Sequence, residues 1–155
     1  MRTSLQVVLY QPVIPQNTGN IARTCAATHT PLHLVEPLGF RITDRHLKRA
    51  GLDYWPSVSI KIHPNIQALR EELSPHRWVY FSAHARRPYY DFHFLPGDCL
   101  VFGSETRGLP DDLVESGSGD LLQIPIDRAR VRSLNLATTV GVALFEALRQ
   151  VTLQH

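Results

Sequence analysis

The chain has 155 residues, of which 43% are hydrophobic and 19% charged, so it can bury one packed core and is not a disordered protein. Its sixteen basic and fourteen acidic residues leave a net charge of +2, which excludes a protein that coats nucleic acid without specificity. All basic residues except Lys48 and Lys61 are arginines, whose planar fork suits phosphates and base edges. A base-composition bias in the genome would produce the same excess. We expect a single domain over residues 1–155.

No apolar run approaches the ~18 residues that span a bilayer, and the first residues lack the pattern of a signal peptide. We therefore expect a cytoplasmic protein with no membrane contact. Cys25 and Cys99 lie far apart without a second pair, which predicts buried free thiols. No H-E-x-x-H motif occurs, and Pro31 interrupts the spacing of His29 and His33. We expect no metal, and most of the eight histidines at the surface.

Short apolar runs rich in β-branched and aromatic residues alternate with stretches of helical character. The predicted strands are residues 5–10, 32–35, 59–62, 78–81, 100–103 and 121–124. Helices are predicted over 18–28, over 45–50 with Thr43 or Asp44 as cap and Gly51 as stop, and over 66–73 with Asn65 as cap and an end before Pro75. This alternation predicts an α/β fold with a mostly parallel six-stranded sheet and helices on both faces.

The last predicted helix, residues 136–151, is apolar around most of its circumference and needs cover on more than one side. A subunit interface or the interior of its own monomer would provide that cover, and periodicity does not distinguish between them. In open α/β sheets, ligands bind beyond the carboxyl ends of the strands. The loops to consider therefore follow Tyr10, Phe81, Gly103 and Ile124.

The first such loop belongs to residues 12–23, PVIPQNTGNIAR. It places Asn17, Gly19 and Asn20 at a turn that enters a helix, whose free N–H groups can hold a phosphate or carboxylate. Arg23 would project about one turn later. Asn-rich helix entries are also common as simple caps, so the pattern by itself is weak.

The second loop, residues 102–110 (FGSETRGLP), directly follows a buried strand, and its two glycines permit close approach of the backbone to a ligand. Its Glu and Arg need partners in so apolar a setting. The loop lacks the Lys-Ser/Thr of a P-loop, and no G-x-G-x-x-G follows a strand, which disfavours ATP hydrolysis and NAD binding.

The third segment, residues 124–135 (IPIDRARVRSLN), gathers polar residues at the entrance of the last helix. Arg128, Arg130 and Arg132 stand there beside Ser133 and Asn135. Either of the last two residues alone is also explained as a helix cap.

A fourth stretch, residues 84–90 (HARRPYY), interleaves Arg86 and Arg87 with aromatic residues. This composition suits phosphate contact and base stacking on single-stranded RNA. A solvated loop is the competing interpretation. We expect the small positive excess to be concentrated here and at residues 128–132.

Taken together, these segments resemble those of the SPOUT-superfamily RNA 2′-O-ribose methyltransferases. The similarity is greatest to the small family that methylates cytidine or uridine 34, the wobble nucleotide of tRNA. The matching segments span essentially the whole chain: 14–23 (IPQNTGNIAR), 38–40 (LGF) with 49–54 (RAGLDY), 102–110 and 124–136.

The resemblance implies a deep trefoil knot near the C-terminus, which sequence reasoning would otherwise exclude because knots are very rare. It also implies a homodimer with sites near the subunit interface, acting on the anticodon stem-loop. S-adenosylmethionine is the implied cofactor. Its implied contacts are Phe81, Gly103, Ile124 and Ser133.

By the same resemblance, Arg23, Glu105, Ser133 and Asn135 match the polar residues of the catalytic motifs. Asn17, Arg86, Arg87, Arg130 and Arg132 are the predicted RNA contacts. The family proposal makes the residue at Arg23 the general base, but a guanidinium stays protonated in proteins. We expect Arg23 to hold the phosphate and polarise the hydroxyl, with the proton acceptor left open.

Related members often carry a Tyr in the C-terminal helix that is implicated in RNA contact, whereas this chain has Phe145. Two other functions compete with wobble methylation. One is methylation of another RNA position, such as a ribosomal RNA ribose or a guanine base. The other is a non-enzymatic RNA-binding module, which would leave the Gly-Ser-Glu loop without a purpose.

Overall fold

The computed structural model describes residues 5–43, 45–51, 58–74 and 77–153. Six strands and five α-helices alternate along these residues, with one short 3-10 turn. The strands are β1 (Gln6–Tyr10), β2 (Leu32–Val35), β3 (Ile60–His63), β4 (Trp78–Phe81), β5 (Cys99–Phe102) and β6 (Asp120–Leu122). The helices are α1 (Pro15–Ala27), α2 (Arg45–Gly51), α3 (Ile66–Leu73), α4 (Asp111–Glu115) and α5 (Leu136–Leu153), and the 3-10 turn is Tyr89–Asp91.

The six strands form one sheet in the order β3-β2-β1-β5-β4-β6, and every neighbouring pair is parallel. The α/β class and the parallel six-stranded sheet are therefore confirmed, with strand bounds within one or two residues of those predicted. Loops after β1, β4, β5 and β6 all leave from the same edge of the sheet, which is where ligands bind in such folds. The trefoil knot stays a prediction.

Helices cover both faces of the sheet because neighbouring residues of a strand point to opposite sides. Leu9 of β1 packs in a cluster that includes Ile21 of α1 and Leu144 of α5. Val8 belongs to the opposite cluster, with Leu69 of α3 and other residues of α3 and α4. The prediction of helices on both faces is confirmed.

The structure differs from the predictions at two helix ends and contains two short elements that were not predicted. Helix α1 begins at Pro15, three residues earlier than predicted, because proline fits the first turn of a helix. Asn17 therefore lies inside the first turn and not in a turn ahead of it. Helix α2 includes Gly51 as its last residue, while Asp44, one of its two expected caps, lies outside the described residues. Helix α4 and the 3-10 turn were not predicted, since each is shorter than two helical turns.

Helix α3 agrees with the prediction, and the Asn65 side chain accepts a hydrogen bond from the Ala68 N–H at 2.8 Å. Pro75, beyond its end, lies outside the described residues. Helix α5 is covered largely by its own chain, but Phe145 remains 55% exposed. Intramolecular packing therefore provides most of the cover, and one aromatic ring stays outside it.

Both cysteines are free and buried, as predicted, and burial raises the pKa of the Cys25 and Cys99 thiols to about 12. Two histidines are exceptions to the expectation that most of them lie at the surface. His33 and His63 are 3% and 4% exposed, and their rings stack with a hydrogen bond of 2.9 Å between them. In the part of the chain that is described, no helix is long and apolar enough to cross a membrane.

Candidate active site

The Glu105 carboxylate joins the loop after β5 to the loop after β1. Its Oε1 accepts the Val13 N–H at 2.9 Å, and its Oε2 accepts the Ile14 N–H at 2.9 Å and the Asn17 Nδ2 at 3.1 Å. Ile14 is the N-cap of α1 and Val13 precedes it, so both backbone N–H groups lie just ahead of the helix. Glu105 binds the Ile14 N–H from 91 residues away, and so it fixes the position of the α1 N-terminus.

Asn17 extends this connection to the last helix. Its Oδ1 accepts a hydrogen bond from Asn135 Nδ2 at 3.0 Å, while Asn135 Oδ1 accepts the N–H groups of Ala137 at 2.9 Å and Thr138 at 3.3 Å. Asn135 is therefore the cap of α5, as one of the two sequence interpretations proposed. We call this connection the Glu105–Asn17–Asn135 bridge.

The two glycines of the 102–110 loop serve the turn of the loop itself. A Cβ on Gly103 would lie 2.1 Å from the carbonyl carbon of Gly108, and Gly108 has a φ of 65°. The Gly108 N–H donates to the Ser104 carbonyl at 3.0 Å, and the Arg107 N–H donates to the Ser104 hydroxyl at 3.0 Å. The group that closely approaches Gly103 is thus protein backbone, whereas the sequence suggested a ligand.

Two clefts adjoin at this edge of the sheet. The larger cleft is lined by 15 residues and lies beyond β4 and β5, where the rings of Phe81 and Phe102 stack at 4.8 Å. The smaller cleft is lined by nine residues, among them Ile14 and all three residues of the bridge. The residues that line both clefts are Ser104, Ser133, Leu134, Leu136 and Thr139. Two ligands, one in each cleft, would therefore lie next to each other along these shared residues, which we call the shared wall.

The structure brings most of the predicted site residues together. All four residues predicted to contact a cofactor line the larger cleft: Phe81, Gly103, Ile124 and Ser133. Three of the four predicted catalytic residues line the smaller one: Glu105, Ser133 and Asn135. Arg23 is the exception, because it is exposed on α1 and is not among the lining residues of either cleft.

The predicted RNA contacts are divided among three places. Arg86, Arg87 and Arg130 are exposed outside the clefts, whereas Arg132 lines the larger cleft. Asn17 is 5% exposed, and its amide oxygen and nitrogen are both bound by protein groups in the bridge. Its side chain is thus part of the framework of the smaller cleft.

Sequence reasoning did not single out Ser104 or Thr139 as site residues, and it named Arg128 only as part of the polar cluster at residues 124–135, although each of the three lines a cleft. Ser104 lies inside a segment that was recognised, and Thr139 lies one helical turn after Asn135, so both positions carried a signal. The Arg128 Nη2 donates to the Ala83 carbonyl across the larger cleft wall. Arg128 and Arg132 make that wall basic.

Among the described residues, no group of three or more His, Cys, Asp and Glu side chains is arranged to hold a metal ion. The shared wall offers hydroxyls, the larger cleft adds arginines, and the smaller cleft adds the Glu105 carboxylate and the amides of Asn17 and Asn135. Such a site can bind anionic and planar apolar groups and can orient a hydroxyl for reaction.

A parallel sheet with two adjoining clefts beyond its carboxyl edge defines the class of protein: an α/β protein with room for two ligands side by side. Residues 4–145 match the model of the SpoU rRNA Methylase family. The chain belongs to this methyltransferase family.

Relatives and solved structures agree with this assignment. A protein of Polaromonas sp. strain JS666, named tRNA (cytidine(34)-2′-O)-methyltransferase, is 48% identical over 93% of this chain and 89% of its own length. A protein of Aeromonas hydrophila with the same name is 45% identical over 95% of this chain and 94% of its own length.

One similar solved structure is described as giving insights into the 2-OH methylation of C/U34 on tRNA. It is 50% identical in sequence, the match covers 96% of each chain, and the TM-score is 0.90. An rRNA methyltransferase from Sinorhizobium meliloti, solved with AdoMet bound, is 27% identical with a TM-score of 0.82. That match covers 94% of this chain and 56% of the other.

Proposed function

We propose that this protein transfers a methyl group from S-adenosylmethionine to the ribose 2′-oxygen of nucleotide 34, a cytidine or modified uridine, in the tRNA anticodon. The observation that carries this proposal is the shared wall of the two clefts. This wall lies in a chain that is 48% identical, over most of its length, to a relative named tRNA (cytidine(34)-2′-O)-methyltransferase. We also propose that residues 1–155 act as one catalytic domain in the cytoplasm.

The residues of the larger cleft fit S-adenosylmethionine by their chemistry. The stacked rings of Phe81 and Phe102, together with Ile124, offer an apolar surface for an adenine ring. Arg132 offers a cation for a carboxylate, and no Asp or Glu among the described residues lines this cleft. When bound, this cofactor supplies a methyl carbon on a positively charged sulfur, and the C–S bond breaks as the O–C bond forms.

The smaller cleft would hold the ribose. Because the Ser104 hydroxyl already accepts the Arg107 N–H, its own proton is free to be donated to a ligand. Ser133, exposed on the shared wall, offers a second hydroxyl. These groups can orient the 2′-hydroxyl toward the larger cleft, where proximity lowers the barrier to reaction.

Glu105 serves as a positioning residue in this proposal. Its two oxygens accept three hydrogen bonds from protein N–H groups, so the carboxylate holds those groups in place. Asn135 likewise positions α5 and, through Asn17, the entry of α1. The bridge therefore holds the walls of the smaller cleft.

Arg23 would act on the RNA backbone. It lies six residues after Asn17, about 9 Å further along the α1 axis, and it is exposed there. This position favours contact with a substrate phosphate over contact with the methylated hydroxyl itself. The phosphate role predicted for Arg23 is thus retained, and its polarisation of the hydroxyl is not part of the proposal.

We propose a homodimer in which α5 contributes to the subunit interface. Phe145 is the side chain that supports this assembly, since its ring is 55% exposed on a helix otherwise packed against the core. Full burial of an aromatic side chain that was exposed to water stabilises an assembly by about 1.5–3 kcal/mol. Sedimentation of Phe145→Asp against wild type tests the assembly, because a charge in this interface would produce monomers.

Methylation of matched tRNAs tests the function. The purified protein is incubated with radiolabelled S-adenosylmethionine and with tRNA that has cytidine, or 2′-deoxycytidine, at position 34. Labelling of the first RNA alone supports the proposal, because only its nucleotide 34 has the acceptor oxygen.

Equal labelling of the two tRNAs would overturn the assignment of position 34. Labelling of ribosomal RNA with none of tRNA would favour the competing methyltransferase function. Tight RNA binding with no uptake of S-adenosylmethionine in calorimetry would favour the non-enzymatic module. In cells, loss of the gene should remove 2′-O-methylation of nucleotide 34 from tRNA.

A further inference from the structure

The segment after β4 runs beside the segment after β6 and forms an outer border of the larger cleft. The Gln123 N–H donates to the Arg87 carbonyl at 2.9 Å, and the Tyr89 N–H donates to the Gln123 carbonyl at 2.8 Å. The next residue, Ile124, lines the larger cleft. Residues 86–90 are therefore held in place next to the cofactor side of the site.

Arg87 is fixed in orientation although it is exposed. Its Nη2 donates to the Asp91 carbonyl at 3.2 Å, and its guanidinium carbon lies 5.1 Å from the ring centroid of Phe92. Arg77 lies 4.7 Å from the same centroid, but Asp98 balances its charge. The charge of Arg87 is thus presented on a rigid support, with N–H groups left for an outside ligand.

Arg86 and Arg128 add to this charge. Among the described residues, no carboxylate lies within ion-pair distance of Arg86, Arg87 or Arg128. The nearby Asp127 caps the Ala129 N–H at 3.0 Å and lies 3.7 Å from Arg130. The border of the larger cleft thus carries three uncompensated positive charges, which suit a phosphate backbone.

Tyr90 stands within this basic border. Its side chain is 58% exposed, the highest fraction among the large hydrophobic residues that the structure describes. A T-shaped contact with Tyr89, with ring centroids 5.5 Å apart, restrains its ring. We call the set of Arg86, Arg87 and Tyr90 the Tyr90 surface. An exposed aromatic ring among unpaired arginines is typical of sites for single-stranded nucleic acid, where bases stack and phosphates pair.

We propose that Tyr90 is a specificity-determining residue that stacks on an unpaired base of the substrate RNA while Arg87 contacts a phosphate beside it. The inference rests on the proposed function, because it takes the RNA loop to be the substrate whose nucleotide enters the smaller cleft. It extends that function by giving the enzyme a contact with a base outside the cleft. Tyr90 would therefore favour RNA whose target nucleotide lies in an open loop over RNA in a duplex.

Binding of RNA hairpins to the full chain tests this contact without methyl transfer. The probe is an anticodon stem-loop with 2-aminopurine at each loop position next to nucleotide 34, and a blunt duplex of equal length serves as comparison. Tyr90→Ala should weaken hairpin binding about 10-fold and abolish the quenching of one 2-aminopurine. Tyr90→Phe and Tyr90→Trp should retain both properties, since stacking needs the ring and not the hydroxyl.

Leu95→Ala is the matched control, because Leu95 is 40% exposed and lies after the same 3-10 turn. It should bind hairpin and duplex as wild type does. In methylation, Tyr90→Ala should raise the KM for tRNA and leave kcat unchanged at saturating RNA.

The inference is overturned if Tyr90→Ala binds the hairpin like wild type, if Tyr90→Phe is as weak as Tyr90→Ala, or if hairpin and duplex are weakened equally. A change in the sedimentation of Tyr90→Ala would also overturn it, by assigning the ring to an interface between protein chains. Failure of the proposed function is distinguishable, because wild type would then bind the hairpin without methylating nucleotide 34. The variant series would still decide the role of Tyr90.

Discussion

Two carboxylates, Asp98 and Glu105, lie at opposite edges of the same sheet and are held in different ways. Asp98, 1% exposed at the amino edge, receives two hydrogen bonds of 2.6 Å from Arg77 and one of 2.8 Å from the Leu95 N–H. Glu105, half-buried at the carboxyl edge, is held by N–H groups alone, and no described cation pairs with it.

This difference separates a structural role from a functional one. The Arg77–Asp98 pair is closed, because each charge is balanced by the other and the group borders neither cleft. Glu105 connects loops that border a cleft, so its hydrogen bonds position walls that a ligand would touch. A buried polar group closed on itself therefore indicates stability, whereas one that joins the walls of a cleft indicates function.

Asp98→Asn should have the largest effect, and it should be on stability. The amide cannot satisfy both donors of Arg77, so we expect the free energy of unfolding to fall by about 3 kcal/mol, the low end for a broken buried pair because Arg77 is partly exposed. Urea unfolding measures this loss, and activity per folded molecule should stay within about 2-fold of wild type. The control, Arg149→Ala, removes an exposed partner of Glu146 and should cost less than about 0.5 kcal/mol. A large loss of activity in folded Asp98→Asn would contradict the distinction between the two edges.

Glu105→Gln makes the same chemical change at the other edge and should act on catalysis. The new NH₂ group would face N–H donors, which loosens the α1 entry. We expect kcat/KM for methylation to fall about 100-fold, equivalent to about 2.7 kcal/mol, with the protein still folded. Single-turnover methyl transfer, compared with Asp98→Asn, gives the measurement. Full activity of Glu105→Gln would show that the bridge has no part in positioning the substrate.

Arg23→Lys tests the phosphate role at the carboxyl edge. Lysine keeps the charge but loses the planar fork, so we expect a rise of about 10-fold in KM for tRNA and a smaller change in kcat. Steady-state methylation at varied tRNA concentration separates the two constants, with Arg149→Lys as an exposed control. A wild-type rate and KM would show that neither the fork geometry nor a guanidine base matters.

The buried histidine pair extends the comparison to a second closed cluster and should give the smallest effect. Burial lowers the pKa of His63, while the carboxylate of Glu72, 3.3 Å away, opposes this shift. The unfolded chain then takes up a proton more readily than the folded one, so stability falls as the pH drops below about 6.5. We expect the free energy of unfolding to be lower at pH 5.5 than at pH 7.5, by less than in the variants above.

Urea midpoints of wild type and His63→Gln at the two pH values measure this effect. The variant should show a flatter pH dependence and wild-type activity at pH 7.5. Parallel pH dependences in the two proteins would exclude His63 as the responsible group.

Most of the fold was predictable because its signals are local. The six strands follow from apolar β-branched runs, and the helix at residues 66–73 follows from Asn65 as cap. The start of α1 was misplaced because proline was not weighed as a first-turn residue. Two short elements, α4 and the 3-10 turn, have too few residues to carry a periodic pattern.

For the candidate site, the sequence predicted which segments take part but not which residues of those segments contact each other. Its loops were found from residue types after strands, and family resemblance added their roles. Thr139 was missed although it lies one helical turn after Asn135, because the sequence analysis stopped at the helix cap and did not follow that face into the helix. The buried His33–His63 pair was missed because its members are 30 residues apart and meet on neighbouring strands.

The sequence by itself determined the alternation of strands and helices, the class of the sheet and the segments beyond its carboxyl edge, because each depends on neighbours within a few residues. Only the tertiary structure decided that Glu105 reaches α1, that Arg23 stays outside both clefts and that one wall serves two clefts. These are contacts between residues about 90 or more apart in sequence, or the absence of such contacts. The order of strands in the sheet decides them, and local propensity carries no information about that order.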